Sequence, residues 1–195
     1  MAMKRKLRRR SVSSENAQLY IAGNYLVANP SLSWQSVPGY AAGGIIITKR
    51  KERKVMSKVA VVYWSGTGNT EAMAYAVEEG AKDKGAEVSF IQAADFSADQ
   101  VSAYDAIAFG CPAMGDEVLE ESEFDPMFTD VEAALSGKKV ALFGSYGWGD
   151  GQWMRDWEDR CRAAGAELVT DSVTANDAPG DEETELCKAL GAALT

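Results

Sequence analysis

One stretch decides the fold of this chain: Lys58-Val59-Ala60-Val61-Val62-Tyr63-Trp64-Ser65-Gly66-Thr67-Gly68-Asn69-Thr70-Glu71. The Val-rich run 59–63 is typical of a buried strand, and the apolar spacing after Thr70 predicts a helix. A turn rich in Gly and hydroxyls before a helix N-terminus is an anion site, because backbone N–H groups converge there and the helix dipole favours negative charge. The turn contains no Lys or Arg, so it suits the terminal phosphate of a cofactor better than a triphosphate–metal complex.

Two familiar phosphate motifs do not fit this turn. A nucleotide triphosphatase loop, G-x-x-x-x-G-K-[ST], needs a Lys, and none follows Gly68. The dinucleotide motif G-x-G-x-x-G begins at Gly66 and Gly68, but Glu71 stands at its third glycine. Taken alone, the turn is equally consistent with an ordinary strand–helix connection without a ligand. The rest of the chain therefore decides between a ligand-binding turn and an ordinary strand–helix turn.

The residues after this turn alternate between strand and helix patterns. Strands are predicted at 59–63, 87–91, 106–111, 140–144 and 167–173, and helices at 70–84, 99–103, 125–135, 151–164 and 181–193. This alternation predicts an α/β fold, a doubly wound five-stranded parallel sheet with helices on both faces. Met73 and Met127 are predicted to lie in the core. Trp153 and Trp157, four residues apart, are interpreted as packing and partner-facing residues.

Ligands of such sheets bind beyond the carboxyl ends of the strands, where three loops of this chain are predicted to meet. The third loop carries four glycines around Tyr146 and Trp148; glycines allow close backbone approach, and an exposed indole can stack on a flat ring. Met114 in the second loop offers a polarizable side chain for the other face of that ring. The alternatives are that Trp148 belongs to the core, and that Asp116 and Glu117 are solvated turn acids.

Together the three loops favour a flat, phosphorylated cofactor. The candidate binding residues are Ser65, Gly66, Thr67, Gly68, Asn69, Thr70, Pro112, Ala113, Met114, Gly115, Asp116, Glu117, Ser145, Tyr146, Gly147, Trp148, Gly149 and Asp150. No catalytic or metal-binding residue is predicted. Because the chain has no His, His-based triads and His metal sites are excluded.

From residue 58 to 195 the chain resembles a short-chain flavodoxin of the clostridial kind. The resemblance is carried by VVYWSGTGNTE at 61–71, GCPAMGDEVLEESEFDP at 110–126 and SGKKVALFGSYGWGDGQWMRDWEDR at 136–160. It covers the whole predicted domain in order, and nothing before residue 56. The last predicted strand runs on without the roughly twenty-residue insertion of long-chain relatives, and this favours the short-chain class.

The resemblance implies a flavodoxin-like fold and non-covalently bound FMN. Its phosphate loop corresponds to 65–70 and its ring-flanking loops to 112–117 and 145–150. Met114 then lies on the inner face and Trp148 on the outer face of the isoalloxazine ring. The acidic residue near the ring's N3 corresponds to Glu117, and the peptide that flips on reduction corresponds to Gly115-Asp116.

The charge of the chain is divided between two segments. Residues 1–57 carry eleven basic and two acidic residues, a net charge of +9, whereas residues 58–195 carry nine basic and twenty-seven acidic residues, a net charge of −18. We therefore predict two domains: a basic extension at 1–55 and the flavodoxin-like domain at 56–195. The purine-codon stretch Lys51-Glu52-Arg53-Lys54 before Met56 suggests that 1–55 is leader included by an early start; a disordered basic tail is the alternative.

The sequence thus predicts a low-potential, one-electron carrier with FMN, and not an enzyme. The alternatives are an FMN-dependent quinone reductase of the same fold and a flavin-binding regulatory domain with a basic arm. The acidic surface predicts redox proteins with basic docking patches as partners, rather than nucleic acid or membrane, and the protein is expected to be a monomer. Three widely spaced cysteines without a C-x-x-C motif suggest buried thiols in the cytoplasm.

Overall fold

The computed structural model of the protein describes residues 19–22, 25–28 and 56–195, which fall in two units, 1–53 and 54–195. In the first unit, strands β1 (Leu19–Ala22) and β2 (Tyr25–Ala28) form an antiparallel pair in which Leu19 lies opposite Ala28. The prediction that 1–55 is leader or a disordered tail otherwise lies outside the described residues, and it stays a prediction.

The second unit is built on one parallel sheet. Its strands are β3 (Lys58–Tyr63), β4 (Glu87–Gln92), β5 (Ala106–Gly110), β6 (Lys139–Tyr146), β7 (Glu167–Leu168) and β8 (Val173–Asn176). They lie in the order β4-β3-β5-β6, and both β7 and β8 pair with β6. The sheet therefore has five strand positions, as predicted from the sequence.

Helices follow the strands and cover both faces of the sheet. They are α1 (Asn69–Asp83), α2 (Ala98–Val101), α3 (Phe124–Glu132), α4 (Gln152–Ala163) and α5 (Asp181–Ala193), with a short 3-10 turn at Ala93–Asp95. The predicted doubly wound α/β fold is confirmed. No helix in the described part of the chain has the length and apolarity that a membrane span requires.

The last strand position differs from the prediction, which had one strand at 167–173. The structure contains two short strands separated by Val169–Ser172, because polar residues with turn preference occupy this gap. The Val169 N–H still donates to the Val140 carbonyl at 3.0 Å, whereas the Ser172 hydroxyl leaves the sheet and donates to Glu158 on α4 at 2.6 Å. The strand therefore breaks over a polar stretch in which the Ser172 side chain bonds to α4.

Alternate residues of each strand pack on opposite faces of the sheet. Val59 and Val61 of β3 contact the layer of α1 and α5, whereas Ala60 and Val62 contact the layer of α3 and α4. All four are fully buried, as are most residues of β5 and β6. Strands that are buried on both faces need continuous apolar runs, which is why these segments could be recognised in the sequence.

Helices α1 and α5 approach one another closely because glycines stand at their contact. A Cβ at Gly80 would lie 1.9 Å from the Lys188 carbonyl oxygen, and a Cβ at Gly191 would lie 2.0 Å from the Val77 carbonyl oxygen. Each glycine thus allows the backbone of one helix to rest directly on the other. The crossing fixes α1, and with it the turn that precedes α1.

The core predictions for single residues are mostly confirmed. Met73 and Met127 are buried, and Trp153 and Trp157 each have an exposed fraction of 1%. The interpretation of the two tryptophans as packing residues is therefore correct, but the partner-facing part of it is wrong. The indole of Trp157 packs edge-on against Phe124 and Phe128 with centroid distances of 5.3 and 5.5 Å, because α4 turns this face toward α3.

The strand order places a crevice between two neighbouring strands. The chain leaves β3 toward β4 on one side and later returns to β5 on the other side. At such a switch point the connections diverge, and a ligand can enter beyond the carboxyl ends of the strands. The connections at this edge are the three loops that the sequence analysis selected.

Candidate functional site

The turn between β3 and α1 presents free backbone donors. The Gly68 N–H donates to Ser65 Oγ at 3.1 Å, and this bond closes the turn. Among the described residues, no acceptor faces the N–H groups of Asn69, Thr70 and Glu71, the first three residues of α1. Three unpaired donors at the positive end of a fifteen-residue helix form a site for an anion.

The hydroxyl of Thr70 bonds to another side chain of the protein. Thr70 has an exposed fraction of 1%, and its Oγ1 lies 3.0 Å from the Oγ of Ser145, near the end of β6. This bond joins the first turn of α1 to a strand end seventy-five residues further along the chain, so the third loop itself begins after Tyr146. The Thr70 hydroxyl therefore has a partner within the protein, whereas the Thr67 side chain is exposed at the turn.

The second loop turns back on itself between Met114 and Val118. Each of these residues donates its N–H to the other's carbonyl, at 2.8 and 2.9 Å, and the tip of the turn is Gly115-Asp116-Glu117. Gly115 has φ +44° and Glu117 has φ +56°. Met114 and Val118 are large apolar side chains with exposed fractions of 38% and 41%, which leaves apolar surface open beside the switch point.

Glu117 ties the second loop to the N-terminus of α4. Its Oε1 accepts the N–H groups of Asp150, Gly151 and Gln152 at 3.1, 2.8 and 3.1 Å. Its carboxyl group also packs on Gly149, where a Cβ would lie 2.4 Å from the Glu117 Cδ. The alternative of Glu117 as a solvated turn acid is therefore wrong, because one of its oxygens caps the N-terminus of a helix.

Trp148 projects from the third loop with an exposed fraction of 62%. The alternative that it belongs to the core is therefore wrong. Tyr146, by contrast, is half-buried and packs on Trp153 with a centroid distance of 5.5 Å. The third loop thus has a fixed base at Tyr146 and an exposed indole at its tip.

Arg155 holds the other end of the third loop. Its guanidinium donates to the Asp150 carbonyl at 2.8 Å and to the Asp150 carboxylate at 2.7 Å. The bond from Arg155 keeps the pKa of the exposed Asp150 carboxyl below its ordinary value. The three loops themselves carry no Lys or Arg between 65–70, 112–120 and 145–150, so backbone donors dominate the site.

A fourth loop at this edge was missed by the sequence analysis. Asp177, directly after β8, donates its N–H to the Tyr146 carbonyl at 2.8 Å, and its carboxylate lies beside Gly147. Asp177 has φ +58°, a conformation that Asp adopts more readily than most residues. The turn-forming composition Asn176-Asp177-Ala178-Pro179-Gly180 was the available signal.

The three cysteines are buried inside the domain. Cys111, Cys161 and Cys187 are buried and form no disulfide. Burial raises the pKa of Cys161 and of Cys187 to about 12, and it also raises the pKa of Cys111. Because the thiolate is the nucleophilic form, these thiols are unreactive near neutral pH, and the prediction of buried structural thiols is confirmed.

Comparison with known proteins shows the family of the chain. The flavodoxin family model matches residues 61–191. Flavodoxin from Megasphaera elsdenii is 50% identical over 135 residues, which cover 69% of this chain and 96% of the relative. Flavodoxin from Clostridium beijerinckii is 48% identical over 125 residues, which cover 64% of this chain and 91% of the relative.

Solved structures give the same result for the fold. The solution structure of two-electron reduced Megasphaera elsdenii flavodoxin superimposes with a TM-score of 0.65 at 49% identity, covering 70% of this chain and 97% of that one. A flavodoxin from the domain Archaea superimposes with a TM-score of 0.64 at 30% identity, covering 70% and 95%. The chain therefore belongs to the flavodoxin family, whose members bind FMN and carry electrons rather than catalyse a reaction.

Proposed function

We propose that this protein carries single electrons on one FMN held by its three loops, with the phosphate in the turn 65–70. The observation that carries the proposal is the set of N–H groups on Asn69, Thr70 and Glu71 at the start of α1, for which the described residues provide no acceptor. A phosphate dianion satisfies these donors and the helix dipole together. The exposed Thr67 hydroxyl and the Ser65 hydroxyl add neutral donors, so no cation is needed.

The ring of the cofactor is assigned to the space between the second and third loops. Met114 and Trp148 are exposed and belong to these two loops, and the proposal gives Met114 the inner face and Trp148 the outer face. A flat aromatic ring that covers both side chains removes apolar surface from water, at about 25 cal/mol for each Å². Glycines at 115, 147 and 149 leave the backbone accessible to the ring edge.

Glu117 is assigned to the polar edge of the ring. Its Oε1 accepts three backbone N–H groups, and the proposal gives its second oxygen to the ring's N3–H. The bonds to α4 fix the carboxylate before the cofactor arrives, which reduces the entropy lost on binding. The remaining assigned residues of the two loops, Pro112, Ala113, Asp116, Ser145, Tyr146 and Asp150, are proposed to shape the pocket through their backbone.

The bound FMN supplies one-electron redox chemistry, and the protein sets how strongly it reduces a partner. Residues 58–195 carry a net charge of −18, which disfavours an added electron on the ring. Two unit charges about 8 Å apart repel by roughly 2 kcal/mol at an effective dielectric constant near 20. Several acidic residues around the site therefore favour a low potential.

Anaerobic reductive titration of the FMN-loaded protein tests this function. We expect two resolved one-electron steps, and electron transfer to a separate redox protein. A single two-electron step, together with turnover of a quinone by purified protein and a nicotinamide cofactor alone, would identify a quinone reductase and overturn the proposal.

We propose redox proteins with basic docking patches as partners, and a monomer as the working form. The support is the acidic surface, since opposite charge accelerates encounter and like charge between copies opposes association. We further propose that the protein works in the cytoplasm, where the three unpaired thiols would stay reduced.

Electron transfer to a basic acceptor is expected to slow as ionic strength rises, because salt screens the acidic surface. Between about 10 mM and 300 mM salt, the second-order rate of cytochrome c reduction should fall by at least roughly tenfold. An uncharged quinone acceptor, as the control in stopped-flow experiments, should show no such decrease. Equal salt dependence for both acceptors would contradict electrostatic docking and would point to apolar contact at Trp148, because Trp153 is buried.

A further inference from the structure

Tyr63 binds the carboxylate of Glu71 beside the proposed phosphate site. The Tyr63 hydroxyl donates to Glu71 Oε1 at 3.0 Å, and it accepts a hydrogen bond from Gln92 Nε2 at 2.7 Å. Tyr63 is the last residue of β3 and has an exposed fraction of 3%. The three residues thus connect the ends of β3 and β4 to the first turn of α1.

The bond from Tyr63 to Glu71 takes the place of the capping bond that a Glu at this helix position commonly makes. Glu71 is the third residue of α1, where a Glu side chain commonly turns back and accepts the N–H of the residue before the helix. Helix α5 has this arrangement: the Gly180 N–H donates to Glu183 Oε2 at 2.9 Å. In α1 the Gly68 N–H donates to Ser65 Oγ instead, and the Glu71 carboxylate points to Tyr63.

The two diverted bonds keep the N-terminus of α1 open. A carboxylate that folded back over this turn would occupy the helix N-terminus and repel a second anion there. We propose that Tyr63, supported by Gln92, is a positioning residue that holds the Glu71 carboxylate away from the phosphate turn and so maintains selectivity for a phosphorylated flavin. This inference rests on the proposed phosphate site at 65–70.

The hydroxyl of Tyr63 is suited to this task because it stays protonated. Burial, and then the bond to Glu71, raise the pKa of Tyr63 above the ordinary value of a tyrosine. The hydroxyl therefore keeps its proton, and donates it to Glu71, at neutral pH. The ring is also fixed in place, because it packs on Phe90 with a centroid distance of 4.7 Å.

The test compares FMN with riboflavin, which lacks the phosphate. Fluorescence titrations of apoprotein measure both affinities for the parent and for Tyr63→Phe, which removes only the hydroxyl. We expect FMN affinity to fall by roughly tenfold, the scale of one added repulsion between partly screened charges, and riboflavin affinity to change by less than about twofold. In the double variant Tyr63→Phe/Glu71→Gln, where no carboxylate can fold back, FMN affinity should return to near the parent value.

Two further variants separate positioning from a general loss of structure. Tyr75→Phe removes a hydroxyl from the neighbouring exposed ring, which stacks on Phe90 at 4.8 Å, and should leave both affinities unchanged. Gln92→Met removes the support for the Tyr63 hydroxyl and should shift FMN affinity in the same direction as Tyr63→Phe, which keeps the test valid if Tyr63→Phe fails to fold.

Each outcome has a distinct meaning. Equal losses of FMN and riboflavin affinity in Tyr63→Phe, or no rescue by Glu71→Gln, would overturn the positioning role and leave Tyr63 as a packing residue. An unchanged preference in both Tyr63→Phe and Gln92→Met would overturn it as well. A parent protein that binds FMN and riboflavin equally would instead overturn the phosphate site itself.

Discussion

Replacement of Gly191 by alanine is expected to destabilise the domain by about 3 kcal/mol, the upper part of the range for overpacking a well-packed contact. The new Cβ would lie 2.0 Å from the Val77 carbonyl oxygen and 3.0 Å from the Ala81 nitrogen, so α5 must move away from α1. Urea unfolding of the apoprotein measures this loss. The sign of the change in unfolding free energy is informative, because a Gly→Ala replacement inside a helix otherwise stabilises the protein by about 1 kcal/mol.

The matched control is Ala189→Met on the exposed side of the same helix. It adds a larger side chain than Gly191→Ala but contacts solvent, so we expect a change within about 0.5 kcal/mol. If Gly191→Ala were as stable as the parent, the two helices would not be in the backbone contact that the structure describes.

Replacement of Gly149 by alanine is expected to weaken FMN binding by about 100-fold. The Cβ would lie 2.4 Å from the Glu117 Cδ, and Gly149 has φ +96°, which strains an alanine. The displaced carboxylate loses hydrogen bonds worth about 1.5–3 kcal/mol. Strain of about 1–3 kcal/mol is relieved when the loop leaves the binding conformation, so it also opposes FMN binding. Titration of apoprotein with FMN measures the effect.

The control for backbone strain alone is Gly137→Ala. Gly137 also has positive φ, +71°, but no atom lies within 4 Å of the position of its Cβ, and it precedes β6 at the opposite edge of the sheet. We expect a loss of stability of about 1 kcal/mol with unchanged FMN affinity. A similar FMN affinity for Gly149→Ala and Gly137→Ala would contradict the link between Glu117 and the third loop.

The fold could be predicted from the sequence where local pattern and tertiary environment agree. Strands β3, β5 and β6 are buried on both faces, so the apolar runs at 59–63, 106–111 and 140–144 were visible without further information. The gap between β7 and β8 was missed although Asp171 and Ser172 have turn preference, because the β-branched Val169 and Thr170 before them are also typical of a strand. The end of α3 at Glu132, rather than at 135, depends on a tightened last turn, in which Leu135 donates to Glu132.

The sequence predicted which loops form the candidate site but not the contacts among them. The loops were selected for their glycines and for aromatic residues placed in glycine-rich turns, a composition that is unfavourable in a packed core. Three side-chain contacts that hold the site together leave no periodic pattern in the sequence from which they could be predicted. They are the contacts of Thr70 with Ser145, of Glu117 with residues 150–152, and of Tyr63 with Glu71. The same reason explains the missed loop at Asp177, whose contact with Tyr146 exists only because β8 lies beside β6.

The phosphate turn is the central claim, and the relative affinity of the apoprotein for FMN and riboflavin tests it most directly. Removal of the phosphate leaves the N–H groups of Asn69, Thr70 and Glu71 without their anion, and hydrogen bonds to a charged group are worth about 1.5–3 kcal/mol each. We therefore predict one FMN bound per chain, with a preference over riboflavin of at least about 100-fold. Equal affinities for the two flavins would contradict the account.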